Sequence, residues 1–273
     1  MVSILMYHAL VERHEPYMAA VHVEQARFIE QMAWLAASGH QVLPLAEALA
    51  TLRQPAARQG GRSVVALTFD DGYQSLYTHA RPILQQHGFA ATLFLTTSSV
   101  GQPSYASLPE FARSAPRGDR PLTWDELRAL AAAGWRIESH GCTHRPLDAL
   151  PAGQLAAELR QSQALIARQL GRAPGFYAFP YGRYDRHALR ALGPLGYQAG
   201  FAVHTGLATP ASDYRRLPRI ELTAACDLAT FQQKVATGYA SPAEAQRARL
   251  RDWAYRVPMV KDTLQAMWYQ PPV

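Results

Sequence analysis

Short apolar runs rich in β-branched and aromatic residues recur along the chain, each of strand length, and most are followed by a stretch with helical spacing. The runs are residues 3–10 (SILMYHAL), 64–69 (VVALTF), 91–97 (ATLFLTT), 135–140 (WRIESH), 176–179 (FYAF), 199–204 (AGFAVH) and 217–222 (LPRIEL). Segments rich in Ala, Leu, Arg and Gln separate them, and four of these run up to a glycine: Gly39, Gly88, Gly134 and Gly171. Glycine ends a helix at such a place because it enters the left-handed conformation without a Cβ penalty. Thr123, three residues before Glu126, spells a capping box at the start of the helix that ends at Gly134. Strands alternating with helices predict a parallel sheet covered on both faces. The expected architecture is α/β, a distorted (β/α) barrel of about seven parallel strands, with a doubly wound open sheet as the alternative.

Two segments break the alternation. Residues 98–122 carry Pro, Gly, Ser and several charges without a period, which suits a long lip at the barrel mouth. From residue 239 the pattern turns helical and amphipathic. This divides the chain into a catalytic barrel over residues 1–238 and a helical extension over residues 239–273 packed on it, with contact to a membrane surface as the other use of those helices.

Composition narrows the function classes. Apolar residues make up 48% and charged ones 18% of 273 residues, an ordinary globular balance. The net charge of +6 comes from arginines scattered through helical stretches, so a nucleic-acid partner is not expected, while an anionic glycan or membrane-surface substrate is compatible. Cys142 and Cys226 are expected to be free thiols. The opening MVSILMYHAL lacks a basic flank and is broken by Tyr7 and His8, so it reads as a first strand rather than an export signal. No apolar stretch is long enough to predict a transmembrane helix. As written, the chain is expected in the cytoplasm, or outside it if an export signal has been removed.

The chemistry concentrates at strand ends. Asp70 and Asp71 close the run VVALTF, where residues of parallel α/β folds face the active site. Two adjacent carboxylates there repel each other and lose hydration, and a divalent metal compensates: one carboxylate binds it while the other stays free as a base. His140 and His144 follow the strand WRI, four residues apart. Two imidazoles and one carboxylate form a three-ligand set with an open position. Taken alone, Asp-Asp-Gly suits a turn and His-x3-His a surface coincidence. Their joint placement at strand ends favours the metal. Cys142, between the histidines, points differently and is not needed as a ligand.

TFDDG (68–72), SHGCTH (139–144) and FYAFPYG (176–182), in that order and spacing, resemble the polysaccharide deacetylase family, carbohydrate esterase family 4, over roughly residues 1–235. LMYHAL and LPRIEL are similar to the branch that deacetylates β-1,6-linked N-acetylglucosamine polymers. The resemblance implies a hydrolase that removes N-acetyl groups from an N-acetylglucosamine-containing glycan, using a divalent metal, Zn²⁺ first and Co²⁺, Ni²⁺ or Mn²⁺ as alternatives. It matches Asp70 to the catalytic base and Asp71, His140 and His144 to the metal ligands, with a backbone N–H near Tyr181 helping to hold the oxyanion.

Three departures from the family pattern stand out. Gly141 occupies the place of a usual Ser or Thr. Ala178 occupies the place of an arginine that pairs with the base, and Arg219, in the last strand, is the candidate to reach across and replace it. No histidine follows His204, so the general acid falls to His204, with His8 as the second choice. Tyr181 and His8 are expected to touch substrate, and Tyr184, Trp124 and Trp135 are either sugar-stacking or core. His14, His22, His40, His79, His87 and His187 are expected to be solvated. Two rival readings use the same features: a deformylase or amidase on a lipid- or nucleotide-linked amino sugar, and a glycan-binding module whose barrel has lost its activity.

Overall fold

The computed structural model describes residues 1–13, 21–53, 63–105 and 118–254. All seven expected strands are present. They are β1 (Val2–Tyr7), β5 (Val64–Asp71), β6 (Ala91–Leu95), β7 (Arg136–Ser139), β8 (Phe176–Ala178), β9 (Ala199–Phe201) and β10 (Ile220–Glu221). Three two-residue strands were not legible: β2 (Leu10–Val11) and β3 (Val23–Glu24), which pair with each other, and β4 (Gln41–Val42), which pairs with the start of β5. Runs of two residues lie below any periodicity signal.

The main sheet is parallel throughout, in the order β10-β1-β5-β6-β7-β8-β9, curled into a half-barrel. The segment leading into β10 returns to the far edge. Leu217 N donates to Gly200 O (2.8 Å), Ala202 N to Leu217 O (2.9 Å) and Arg219 N to His204 O (3.1 Å). Residues 217–219 therefore bridge the last strand to the first and close the circuit.

Side-chain alternation then separates inside from outside. Val2 and Ile4 of β1, Val64 and Ala66 of β5, Phe94 of β6, Ala178 of β8 and Phe201 of β9 form one buried cluster, joined by Leu45, Ala48 and Leu49 of α2 (Leu45–Thr51). Leu5, Tyr7, Val65, Leu67 and Phe69 fall in a second cluster with Phe28 and Met32 of α1 (Gln25–Ala37). Every residue of β5 is buried, as expected of a strand packed on both faces.

The helices follow the sequence pattern with one difference. The stretch ending at Gly88 is a π-turn over Leu76–Ala80 that runs into α3 (Arg81–Gln86). Pro82 has no N–H to give and crowds the preceding turn, which widens so that Arg81 N reaches Leu76 O. α4 (Trp124–Ala132) carries the capping box as read: Glu126 N donates to Thr123 Oγ1 and Thr123 N to Glu126 Oε2. α5 (Ala152–Leu170) ends on left-handed Gly171. α6 (Arg186–Leu192) and α7 (Leu228–Thr237) each start at an aspartate N-cap, Asp185 and Asp227.

Of the lip, residues 106–117 lie outside the described residues, and its far end is pinned to the turn after β5: Gln74 N donates to Arg120 O and Leu122 N to Gly72 O. The expected C-terminal extension begins as α8 (Pro242–Ala254), and residues 255–273 lie outside the described residues. No described helix is long and apolar enough to cross a membrane. Trp135 is buried in the core and Trp124 packs half-buried against it.

Candidate active site

β5 delivers both aspartates to the C-terminal rim. Asp70 continues the inward set begun by Val64 and Ala66 and is 2% exposed. There it meets Arg219, which is fully buried. Nη1 donates to Oδ1 at 2.6 Å and Nη2 to Oδ2 at 2.7 Å, a two-pronged charge-assisted pair. Arg219 Nε donates to Ala202 O (3.4 Å), and its guanidinium lies 5.3 Å from the Phe94 ring centre. Ala178 is a small member of the inner cluster. Burial by itself would raise the Asp70 carboxyl. Arg219, ahead of His140 and His8, outweighs burial and holds it below the usual carboxylate range.

Asp71 breaks the strand parity. Its φ is 74°, followed by Gly72 at 103°, and this left-handed pair swings the Asp71 carboxylate away from Asp70 toward β7. A side chain at Gly72 would also meet Leu95 Cδ1 at 2.8 Å. Asp71 Oδ1 lies 3.2 Å from His144 Nε2 and 3.6 Å from His140 Nε2. One ligand atom from each of Asp71, His140 and His144 falls within 4.8 Å of the others, and all three residues are buried.

These residues fit a divalent cation. His140 Nδ1 lies 2.9 Å from Ala178 O, and because a carbonyl only accepts, Nδ1 carries the proton. Burial also lowers the His140 pKa to about 4, so the ring is neutral near pH 7. Nε2 therefore presents a bare lone pair to Asp71 Oδ1, which is itself buried. Two acceptors facing each other in a buried site are mutually repulsive, and a cation between them removes the conflict. Burial would raise Asp71 too, but His144, His8 and His140 hold it far below the usual range, as a carboxylate ligand requires.

The rim residues divide. His8 follows β1 and is half-buried. Its Nδ1 is buried without a hydrogen-bond partner, and its charge acts on both aspartates. His204 is exposed and pairs through Nε2 with the Tyr184 hydroxyl. The ring of Tyr181, 46% exposed, stands 4.7 Å from that of His144, and its φ is 57°. Tyr181 thus sits at the open side of the cluster. One sequence expectation is corrected: His22 is 1% exposed rather than solvated, because the β2–β3 pairing folds its segment against Tyr73. Burial, with His8 adding to it, lowers its pKa to about 4.

Sequence reasoning missed Glu158. It is 6% exposed and lies on the buried stripe of α5 with Leu155, Leu159, Ser162 and Ile166. Its Oε1 accepts from Cys142 N and Thr143 N, and its Oε2 from Thr143 Oγ1. A charged residue inside an apolar stripe, combined with the glycine in place of Ser or Thr at 141, was the available signal.

A curled parallel sheet with a buried Asp-His-His cluster at its C-terminal rim defines a barrel-type enzyme with a metal-ready centre. A family model described as polysaccharide deacetylase matches residues 57–200, just over half of the chain. The chain belongs to the polysaccharide deacetylase family, hydrolases acting on N-acetyl amide bonds. It is 27% identical over 210 residues to the poly-β-1,6-N-acetyl-D-glucosamine N-deacetylase of Staphylococcus epidermidis, covering 72% of this chain and 67% of that protein. It is 29% identical over 240 residues to the Escherichia coli (strain K12) enzyme of the same name, covering 76% of this chain but 34% of the relative, so it spans about a third of that protein's length. In structure it is similar to the Streptococcus pyogenes deacetylase PplD, with a TM-score of 0.72 at 24% identity, covering 86% of this chain and 97% of that one, a likeness of fold.

Proposed function

We propose that this chain is a divalent-metal-dependent N-deacetylase of N-acetylglucosamine-containing polysaccharide, with β-1,6-linked polymer as the substrate class. The observation that carries the reading is the division of labour between neighbours: Asp71 turned toward two imidazoles, Asp70 held off them by Arg219. The names of the Staphylococcus epidermidis and Escherichia coli relatives support the linkage.

Asp71, His140 and His144 would hold the ion, and a set of two imidazole nitrogens and one carboxylate oxygen suits Zn²⁺ as well as Co²⁺ or Ni²⁺. Such an ion supplies Lewis acidity, polarising the amide carbonyl and lowering the pKa of water. Asp70 is the base. Each of its oxygens accepts one N–H from Arg219 and keeps capacity to accept the proton of the attacking water. His8 is the acid supported by position, since it stands beside both aspartates, whereas His204 is exposed and engaged with Tyr184. A C–O bond forms from water and the C–N bond breaks, so that the nitrogen leaves as amine with a proton from His8 and the acyl group leaves as acetate. Tyr181 offers an exposed aromatic face over the cluster for a sugar ring.

The test is acetate release from β-1,6- and β-1,4-linked N-acetylglucosamine oligomers, before chelation, after it, and with Zn²⁺ restored. Release that chelation abolishes and Zn²⁺ restores, greater on the β-1,6 series, is the expected result. Release indifferent to chelator removes the metal; glycan affinity without acetate identifies a binding module; formate from a formylated amino sugar identifies the deformylase.

A further inference from the structure

The loop between the two histidine ligands is held from both sides, and Glu158 supplies one of those sides. Thr97 N and Ser98 N donate to the carbonyls of Gly141 (3.2 Å) and Cys142 (2.8 Å). On the N–H side, Ser139 Oγ accepts from Gly141 N (3.2 Å), and Glu158 Oε1 accepts from Cys142 N (2.7 Å) and from Thr143 N. Glu158 Oε2 takes the Thr143 hydroxyl (2.9 Å), so the glutamate accepts from every partner. The loop enters the left-handed region at both ends, freely at Gly141 (φ 90°) but with strain at ligand His144 (φ 62°). Strain of this kind persists only where the surroundings over-determine the conformation.

The space around Gly141 shows that the arrangement is built in. A Cβ there would meet Glu158 Oε1 at 2.9 Å and the Tyr177 hydroxyl at 3.1 Å. The volume that a Ser or Thr would take is filled from α5 by a carboxylate.

We infer that Glu158 is a positioning residue for the metal centre: by fixing the amides of Cys142 and Thr143 it sets where His144 stands relative to His140, and so how tightly a divalent cation is bound. The inference rests on reading Asp71, His140 and His144 as the ligands. Residues just outside a ligand shell commonly change metal affinity by about 10- to 100-fold when removed.

The experiment is calorimetric titration of Zn²⁺ and Co²⁺ into the chelator-stripped full chain, with the visible spectrum of the Co²⁺ form as the signature of ligand geometry. Glu158→Ala is expected to weaken affinity by about 10- to 100-fold and to alter the Co²⁺ bands. Glu158→Gln keeps an acceptor at Oε1 and is expected to retain most of the affinity, whereas Glu158→Asp, one methylene short, is expected to lose it. Glu138→Gln is the control for a merely structural role. Glu138 is a buried glutamate of β7 whose carboxylate accepts from Gly175 N and Phe176 N away from the cluster, and its substitution is expected to lower the melting temperature but not the metal affinity. Wild-type affinity and spectrum in folded Glu158→Ala overturns the inference, as does equal weakening by Glu138→Gln. If the alanine variant does not fold, Glu158→Asp binding more tightly than Glu158→Gln overturns it. Failure of the unaltered chain to bind metal overturns the ligand set itself and is distinguished from these outcomes.

Discussion

Arg219 and Asp70 lie 149 residues apart in sequence, yet meet in a two-pronged contact with both partners buried. The contact supplies Asp70 with the cationic partner that Ala178 cannot. Its energetic sense is asymmetric: the pair keeps a desolvated carboxylate ionised, and removing only the cation leaves that charge uncompensated, at a cost of about 3 to 5 kcal/mol. Arg219→Met and the milder Arg219→Lys are therefore expected to destabilise the fold and lower turnover, by about 100-fold or more for methionine. Without Arg219, only the weaker pull of His140 and His8 opposes burial and the Asp70 pKa rises, so the acid limb of the rate profile moves to higher pH. Acetate release measured against pH checks this, and an unmoved limb with unimpaired turnover removes Arg219 from the mechanism.

The two candidate acids separate by substitution. His8→Ala is expected to lower turnover by about 100- to 10,000-fold. His204→Ala, at an exposed ring bonded to Tyr184, is expected to leave turnover close to that of the unaltered chain. The opposite ranking returns the role to His204.

His22 gives the fold a pH dependence of defined sign. Free in the unfolded chain it takes up its proton near pH 6.5, and in the folded protein only near pH 4. Between those values the unfolded state binds more protons, so stability rises with pH across that window and is level above it. Its contribution is about 2 to 3 kcal/mol. Denaturant unfolding at a series of pH values should show His22→Asn with a shallower slope from pH 4 to 6.5; parallel curves for the two proteins would contradict the assignment.

Gly141 offers a test in which restoring the family's usual residue does harm. Gly141→Ser places a Cβ at a φ of 90° against Glu158 and Tyr177. A loss of about 1 to 3 kcal/mol in unfolding free energy is expected, with weaker metal binding. A serine variant as stable as the unaltered chain would show that the loop relaxes freely.

The seven principal strands were legible because each is a short apolar run closed by turn residues, and barrel closure follows from their number and direction. The Asp71-His140-His144 cluster was legible because aspartate and histidine stood at strand ends. Arg219 could be nominated only because Ala178 left a carboxylate without a partner. What stayed hidden depends on tertiary contact. The two-residue strands β2, β3 and β4 have no period to read. Burial of His22 arises from the β2–β3 pairing rather than from its neighbours in sequence. His8 and His204 both follow a strand, so sequence position alone could not rank them, and their surroundings, half-buried for His8 and exposed for His204, exist only in the folded chain.

Closure of the ring through residues 217–219 has a consequence for when the enzyme becomes competent. The three residues of the proposed metal site all lie within residues 71–144, whereas Arg219, the partner of Asp70, arrives with the final strand of the barrel. On the proposed mechanism, a chain that stops short of that seam would lack the partner that keeps Asp70 ionised, so hydrolytic power would depend on the circuit of strands being complete.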